Sequence, residues 1–204
     1  MHSDQMSQSA TGTTSGIRIQ YVSDLHLEFP QNRQWIEEHP LEVTGDILLI
    51  AGDTAYLDLP DSKNDTYSAY KFWDWASKHY NQVIVCLGNH DFYGYYDLHA
   101  MPNGFCKQIR HNIHAYYNSV VNLDGIDIIV STLWSKIEPY DAFLTERNVS
   151  DFYRIMSPHN YAQQQNFRTA PSMVHSRLSW PRLFPITALI TGFMDIRIAT
   201  SKCK

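Results

Sequence analysis

The sequence has few cysteines and no long apolar segment. Cys86, Cys106 and Cys203 are odd in number and widely spaced, so they predict neither a disulfide framework nor a C-x-x-C zinc motif and favour a reducing, cytoplasmic setting. No apolar run approaches the roughly 18 to 20 residues of a membrane span, so we expect no membrane partner. Residues 1–16 are rich in Ser, Thr and Gln and lack the apolar core of a signal peptide, which predicts a disordered leader.

Acidic residues are almost missing from the C-terminal quarter. Residues 1–151 hold 20 of the 21 acidic and 9 of the 16 basic residues, a balance of −11, whereas residues 152–204 hold one acid and seven basic residues, a balance of +6. One interpretation is a basic tail that binds an acidic partner. The other is that this stretch is not the natural continuation of the domain. The tail has no dense Lys/Arg patch with interleaved aromatic residues, so we do not expect nucleic-acid binding.

What the sequence does contain is enough apolar material for one domain. Of its 204 residues 44% are hydrophobic and 13% aromatic, which is typical of a globular protein and not of a disordered one. This length suits one domain with a sizeable core. We expect the leader at 1–16, a domain at 17–170 and an atypical basic tail at 171–204.

The first half of the chain alternates predicted strands and helices. Apolar runs at 17–22, 47–51 and 83–87 predict strands, the last two buried on both faces. Helical spacing of apolar residues at 31–39 and 65–80 predicts a helix in each intervening segment. The order β–α–β–α–β implies parallel strands with right-handed crossovers, and therefore an α/β fold.

The second half predicts short strands without helices between them. Asp124-Gly125 is the turn signal of a β-hairpin, and adjacent strands of this kind suggest a second, more antiparallel sheet. Further along, Ser157-Pro158 is typical of a helix start. The predicted elements are strands at 113–117, 119–123, 126–132 and 186–191 and a helix at 157–170.

Three polar clusters follow the three N-terminal strands. They are Ser23–His26, Gly52-Asp53 and Gly88–Asp91. In open sheets with parallel strands, ligands bind outside the carboxyl ends of the strands. Carboxylate, imidazole and amide groups converging there are what a two-metal hydrolytic site needs.

Each cluster also has a plainer interpretation. Asp24 and His26 point the same way on an extended backbone and can chelate one metal, or they belong to a solvated loop. Gly52-Asp53 alone is typical of an ordinary turn. Gly88–Asp91 is the most specific of the three clusters, and its plain alternative is an Asn-His turn in which Asp91 caps the next segment.

The three clusters in this order resemble the calcineurin-like metallophosphoesterases. The family pattern is D-x-H, G-D and G-N-H-[D/E], followed by a lone His and G-H-x-H. The resemblance covers about residues 17–156, and Ser131–Trp134 and Asp151–Ile155 also look like segments of bacterial members. It implies a four-layer α/β/β/α sandwich with two metal ions bridged by a carboxylate.

The resemblance assigns a role to each motif residue. It implies that Asp24 and His26 bind the first metal, that Asp53 bridges both metals and that Asn89 binds the second. The ions are divalent, and ligands that mix nitrogen and oxygen admit Mn, Fe, Zn or Mg.

Two further residues are implied in catalysis. His90 is expected beside the phosphate, where it stabilises the transition state or protonates the leaving oxygen, with Asp91 orienting it. The implied activity is hydrolysis of a small phosphomonoester or phosphodiester.

The later histidines of the family pattern have no counterpart here. Beyond residue 134 the sequence has only His159 and His175, neither in the G-H-x-H context, and 192–195 reads Gly-Phe-Met-Asp. We therefore expect a truncated or frameshifted family member with reduced or absent activity. The alternative to an enzyme is a metal-binding remnant that no longer catalyses. The aromatic residues after the third cluster either stack on a nucleobase or belong to the core; they are Phe92, Tyr93, Tyr95 and Tyr96.

Overall fold

The α/β architecture expected from the sequence is present, with two β-sheets and helices on one of them. The structure is a computed structural model that describes residues 16–58, 63–93, 98, 101–134 and 140–155 and the backbone of strands 186–191 and 197–200. The strands are β1 Ile19–Val22, β2 Ile47–Ala51, β3 Gln82–Cys86, β4 Phe105–Arg110, β5 Ile113–Tyr117, β6 Ser119–Leu123, β7 Ile126–Ser131, β8 Ile186–Thr191 and β9 Arg197–Thr200. The helices are α1 Pro30–Glu38, α2 Thr66–Ala69, α3 Lys71–His79, α4 Ala142–Asn148 and α5 Asp151–Arg154.

The first sheet has the order β1-β2-β3-β5-β4. Strands β1, β2, β3 and β5 are parallel, and β4 runs antiparallel to β5 along the edge. The predicted β–α–β–α–β order is therefore confirmed. As a result, the carboxyl ends of β1, β2 and β3 lie next to one another, and the three polar clusters begin there.

The strand at 113–117 lies in a different sheet from the one predicted. It forms β5, whose residue Ile113 pairs in parallel with Val83 of β3. The chain then turns at Asn118, which has a φ of 45°, and enters the second sheet at β6. The sequence did not predict β4, because its Lys107 and Gln108 interrupt the apolar pattern of an edge strand.

The second sheet has the order β6-β7-β8-β9. Its hairpin between β6 and β7 turns at Asp124 and Gly125, whose φ values are 47° and 84°, as the Asp-Gly signal predicts. The predicted strand at 186–191 is confirmed as β8, which pairs in parallel with β7. The predicted helix at 157–170 lies outside the described residues.

Alternate residues of the central strands enter two separate cores. In β2, Leu48 and Ile50 pack with helix residues such as Trp73, whereas Leu49 packs with Ile128 of the second sheet. Helices α1, α2 and α3 thus cover one face of the first sheet and the second sheet covers the other, which gives three layers in the described part of the chain. This burial on both faces explains the continuous apolar runs in β2 and β3.

The single helix predicted at 65–80 is in fact two helices. Tyr70 separates α2 from α3 with an extended backbone, φ −68° and ψ 132°. The break lets the indole N–H of Trp73 donate to the carbonyl of Tyr67, and both aromatic rings are fully buried. The apolar spacing alone did not reveal this break, because aromatic residues occupy both sides of it.

No helix in the described residues is long and apolar enough to cross a membrane.

Candidate metal centre

Asp24 and His26 follow β1 on a left-handed backbone, with φ values of 55° and 45°. Their backbone N–H groups donate to the carbonyl oxygens of Gly52 at 3.2 Å and Asp53 at 2.9 Å. Hydrogen bonds to the loop after β2 therefore hold this segment in place. The expected extended backbone is wrong here, although the two side chains still converge.

Backbone strain is concentrated at this point. Asp24, His26 and Asp53 are three of the six non-glycine residues with positive φ in the described part of the chain. Such conformations cost on the order of 1–3 kcal/mol each and persist where the surrounding structure holds them, often at functional sites. The strain therefore points to the same three residues as the motifs do.

These three side chains offer a fitting set of donors for a divalent cation. Asp24, His26 and Asp53 each present one ligand atom, and these atoms lie within 4.8 Å of one another. Burial raises the pKa of Asp53, against the opposing effect of a backbone hydrogen bond from His90. Two carboxylates and an imidazole suit Mn, Fe, Zn or Mg, and a bound cation would offset the burial of the Asp53 charge.

The third cluster contacts Asp53 directly. The backbone N–H of His90 donates to Oδ1 of Asp53 at 2.9 Å. A Cβ atom at position 88 would overlap both the backbone nitrogen and Oδ1 of Asp53. Glycine is needed at position 88 because the side chain and the backbone nitrogen of Asp53 lie against its backbone.

His90 lies among Glu28, Tyr93 and His26. Its Nδ1 is 3.2 Å from Oε1 of Glu28. Its ring stacks on Tyr93 with centroids 4.3 Å apart and meets the ring of His26 edge-on at 4.5 Å. The hydrogen bond to Glu28 raises the pKa of His90, which favours the protonated form of this imidazole.

The side chain of Asp91, which we expected to orient His90, makes its described hydrogen bonds to other groups. It is fully buried, and it accepts hydrogen bonds from the backbone N–H of Gly88 at 2.8 Å and the hydroxyl of Tyr67 at 3.3 Å. Burial raises the pKa of Asp91 to about 8, although backbone N–H groups stabilise its charge. Asp91 joins the loops after β2 and β3, and Glu28 is the residue that holds Nδ1 of His90.

The raised pKa of Asp91 predicts how stability changes with pH. An aspartate in an unfolded chain has a pKa of about 4, whereas that of folded Asp91 is about 8. The folded protein therefore binds this proton more tightly, and the resulting stabilisation is complete below about pH 4 and lost as pH rises towards 8. We expect the free energy of unfolding of the metal-free protein, measured in urea, to fall across this window.

A non-titrating variant tests this assignment. Asp91→Asn should weaken the pH dependence, whereas Asp74→Asn, which removes an exposed carboxylate paired with Arg110, should leave it unchanged. Asp53 acts in the same direction as Asp91, because burial raises its pKa too. A free energy of unfolding that climbs steadily from pH 4 to pH 8 would contradict the prediction.

Asn89 is held by α5. Its Nδ2 donates to Oδ1 of Asp151 at 2.9 Å, which leaves Oδ1 of Asn89 as the amide atom that can bind a cation. Asp151 also accepts a hydrogen bond from the hydroxyl of Tyr93. Asp151 therefore positions Asn89 and ties it to the ring that stacks on His90.

Sequence reasoning missed the roles of Glu28 and Asp151. A signal existed for Glu28, which follows His26 by two residues and extends the motif to D-x-H-x-E. Asp151 was noted only as part of a family-like segment, since nothing local connects it with Asn89. Phe92 and Tyr93 belong to the core, which favours the core interpretation for these two residues.

Several predicted features lie outside the described residues. These are the leader at 1–15, Tyr95, Tyr96, His159, His175, Cys203 and the Gly-Phe-Met-Asp segment at 192–195. Within the described part of the chain, no disulfide joins Cys86 and Cys106.

The chain is similar to known proteins. The family model described as "Calcineurin-like phosphoesterase" matches residues 17–178. An uncharacterized protein of Acanthamoeba polyphaga mimivirus is 28% identical over 145 residues, which are 67% of this chain and 51% of that protein. This chain thus spans about half the length of that relative.

One solved structure is similar in backbone. It is the Phosphopantetheinyl Hydrolase (PptH) of Mycobacterium tuberculosis, with a TM-score of 0.48 and 16% identity, covering 85% of this chain and 67% of that one. The family assignment depends on the family model, which spans far more than half of the sequence. By that match, this protein belongs to the calcineurin-like phosphoesterase family.

Proposed function

We propose that this protein is a metal-dependent phosphoesterase that hydrolyses a small phosphomonoester or phosphodiester at a dinuclear metal centre. The observation that carries the proposal is the convergence of Asp24, His26 and Asp53, whose ligand atoms lie within 4.8 Å of one another. They meet at the carboxyl edge of a parallel sheet, where such folds bind their ligands.

Each ligand would have a separate role. Asp24 and His26 would hold the first cation, Asp53 would be a ligand of both cations, and Asn89 would hold the second. When bound, divalent cations supply the positive charge and Lewis acidity that neutralise phosphoryl oxygens. Mn, Fe, Zn and Mg all suit these donors.

His90 would handle the proton. Its Nδ1 faces Glu28, so Nε2 is the ring atom left to donate a proton to the leaving oxygen or to hydrogen-bond the phosphate. The raised pKa of His90 favours the protonated ring. Asp91 would support this chemistry only indirectly, by holding the loops after β2 and β3.

A catalytically impaired or inactive metal-binding remnant is the second candidate. It is favoured by the sequence after residue 134, which has only His159 and His175 and no G-H-x-H segment. Among the predicted ligands, the second cation would then have only Asp53 and Asn89. In that case the first cation would bind and the second would not.

A metal count combined with a hydrolysis assay separates the two candidates. The purified full chain is loaded with Mn²⁺, freed of excess ion, and analysed for bound metal and for hydrolysis of bis-p-nitrophenyl phosphate. Two equivalents of metal with turnover support the enzyme, and one or none without turnover supports the remnant. Bound metal that survives the combined loss of Asp24 and Asp53 would contradict both.

The proposal extends to the cellular compartment and the binding partners of the protein. We propose a cytoplasmic protein that acts on a small phosphorylated compound and binds neither membranes nor nucleic acid. The odd number and wide spacing of Cys86, Cys106 and Cys203 support a reducing compartment.

A further inference from the structure

Glu28 contacts both histidines of the candidate site. Its Oε1 lies 3.0 Å from Nδ1 of His26 and 3.2 Å from Nδ1 of His90. The Glu28 side chain is only 5% exposed, and its Oε2 is buried without a hydrogen-bond partner in the described part of the chain. One carboxylate oxygen therefore lies within hydrogen-bond distance of two imidazole rings, which come from different loops.

The geometry restricts where the ring protons can be. A single oxygen carries at most one proton, so it cannot donate to both nitrogens, and at least one imidazole must donate to it. If Glu28 is ionised it is an acceptor only, and both Nδ1 atoms must then carry hydrogen. Two imidazole nitrogens within hydrogen-bond distance of the same oxygen favour the ionised carboxylate, because it can accept a hydrogen bond from both rings at once.

A fixed Nδ1–H leaves Nε2 as the functional atom of each ring. At His26 that atom carries a lone pair, which is what a metal ligand requires. At His90 it is the atom that can take up or release a proton. Loss of Glu28 would free both rings to rotate and to exchange the proton between their nitrogens.

We propose that Glu28 is a positioning residue that holds His26 and His90 together in the Nδ1–H form, so that both rings present Nε2 to the metal and substrate side. The tautomer itself depends only on the geometry around Glu28. The roles of the two Nε2 atoms depend on the proposed function.

Ring-nitrogen NMR on the metal-free full chain tests the tautomer directly. With ¹⁵N-labelled histidine at about pH 9, where imidazoles are neutral, two-bond proton–nitrogen correlations distinguish Nδ1–H from Nε2–H. We expect Nδ1–H at His26 and His90. His39 and His79 provide internal references, because their Nδ1 atoms lie 3.1 Å and 2.7 Å from the backbone carbonyls of Trp35 and Trp75.

Two variants at position 28 separate positioning from plain stability. In Glu28→Ala, His26 and His90 should shift towards a mixture of tautomers, while His39 and His79 stay unchanged. Glu28→Gln keeps the volume and one acceptor oxygen, so at least one ring should keep Nδ1–H even if the alanine variant fails to fold. Glu37→Gln, which removes an exposed charge paired with Lys71, is the matched control and should change neither ring.

Metal affinity gives the second measurement. Loss of residues that orient metal ligands typically costs about 10- to 100-fold in affinity, and we expect a fall of that size in Mn²⁺ affinity by calorimetry for Glu28→Gln. A purely structural role would lower the melting temperature but leave the tautomers and the affinity as they were.

The outcomes distinguish this proposal from the proposed function. Nε2–H at both rings of the wild-type protein would overturn it, as would Zn²⁺ binding through Nδ1 of His26 or His90. Wild-type protein with Nδ1–H at both rings but no bound Mn²⁺ would support the positioning role and overturn the proposed function instead.

Discussion

Asp53→Asn should lower the affinity for Mn²⁺ by more than about 100-fold, because the change removes the charge of a proposed metal ligand, and loss of residues that merely orient ligands already costs about 10- to 100-fold. Asp53 contacts both of the other loops of the site. Its Oδ1 accepts the N–H of His90 at 2.9 Å, and its carbonyl accepts the N–H of His26. Calorimetric titration of the metal-free protein measures the loss, and any hydrolysis of bis-p-nitrophenyl phosphate should vanish with it.

The control for this prediction is Asp74→Asn. It makes the same chemical change on α3, where the carboxylate pairs with Arg110 at 2.8 Å, far from the three loops. Its Mn²⁺ affinity should match that of the wild type. If the two variants bind Mn²⁺ equally well, Asp53 is not a ligand and the proposed centre is wrong.

Gly88→Ala should damage both the fold and the site. The new Cβ would overlap the backbone nitrogen and Oδ1 of Asp53, and neither group can move freely because both lie at the end of a buried strand. Inserting a methyl group into a packed position typically costs about 1–3 kcal/mol. We expect a loss of that size in the free energy of unfolding and at least a tenfold loss in Mn²⁺ affinity, by urea unfolding and calorimetry.

Gly16→Ala separates this effect from a general cost of losing glycine. A Cβ at position 16 meets no atom within 4 Å, so its stability and metal affinity should stay at wild-type values. A Gly88→Ala protein that folds with unchanged stability and binds Mn²⁺ normally would show that the loop after β3 can retreat from Asp53.

The central strands could be predicted from the sequence because their signal is local. A strand buried on both faces is a short, continuous apolar run, and β2 at Ile47–Ala51 and β3 at Gln82–Cys86 are both such runs. The Asp124-Gly125 turn is equally local, since both residues must adopt positive φ. Edge strand β4 could not be predicted, because partial exposure removes the apolar pattern on which the prediction depends.

The membership of β5 in the first sheet could not be predicted either. An apolar run at 113–117 fits a strand in either sheet, and only its pairing with β3 places it. The same limit applies to the break at Tyr70, which depends on how Tyr67 and Trp73 pack in the core. The spacing of apolar residues identifies strands and helices, but it does not show which other elements they pair with or pack against.

By itself, the sequence determined the family, the α/β order and the edge of the sheet where Asp24, His26 and Asp53 meet. This was possible because parallel strands place the residues that follow them side by side. Only the tertiary structure decided which carboxylates support that site. Glu28 holds Nδ1 of His90, Asp151 holds Asn89, and Asp91 accepts hydrogen bonds from backbone N–H groups of the loops after β2 and β3. Two of these three contacts join residues 62 positions apart, and a hydrogen bond over such a separation has no local pattern to predict it.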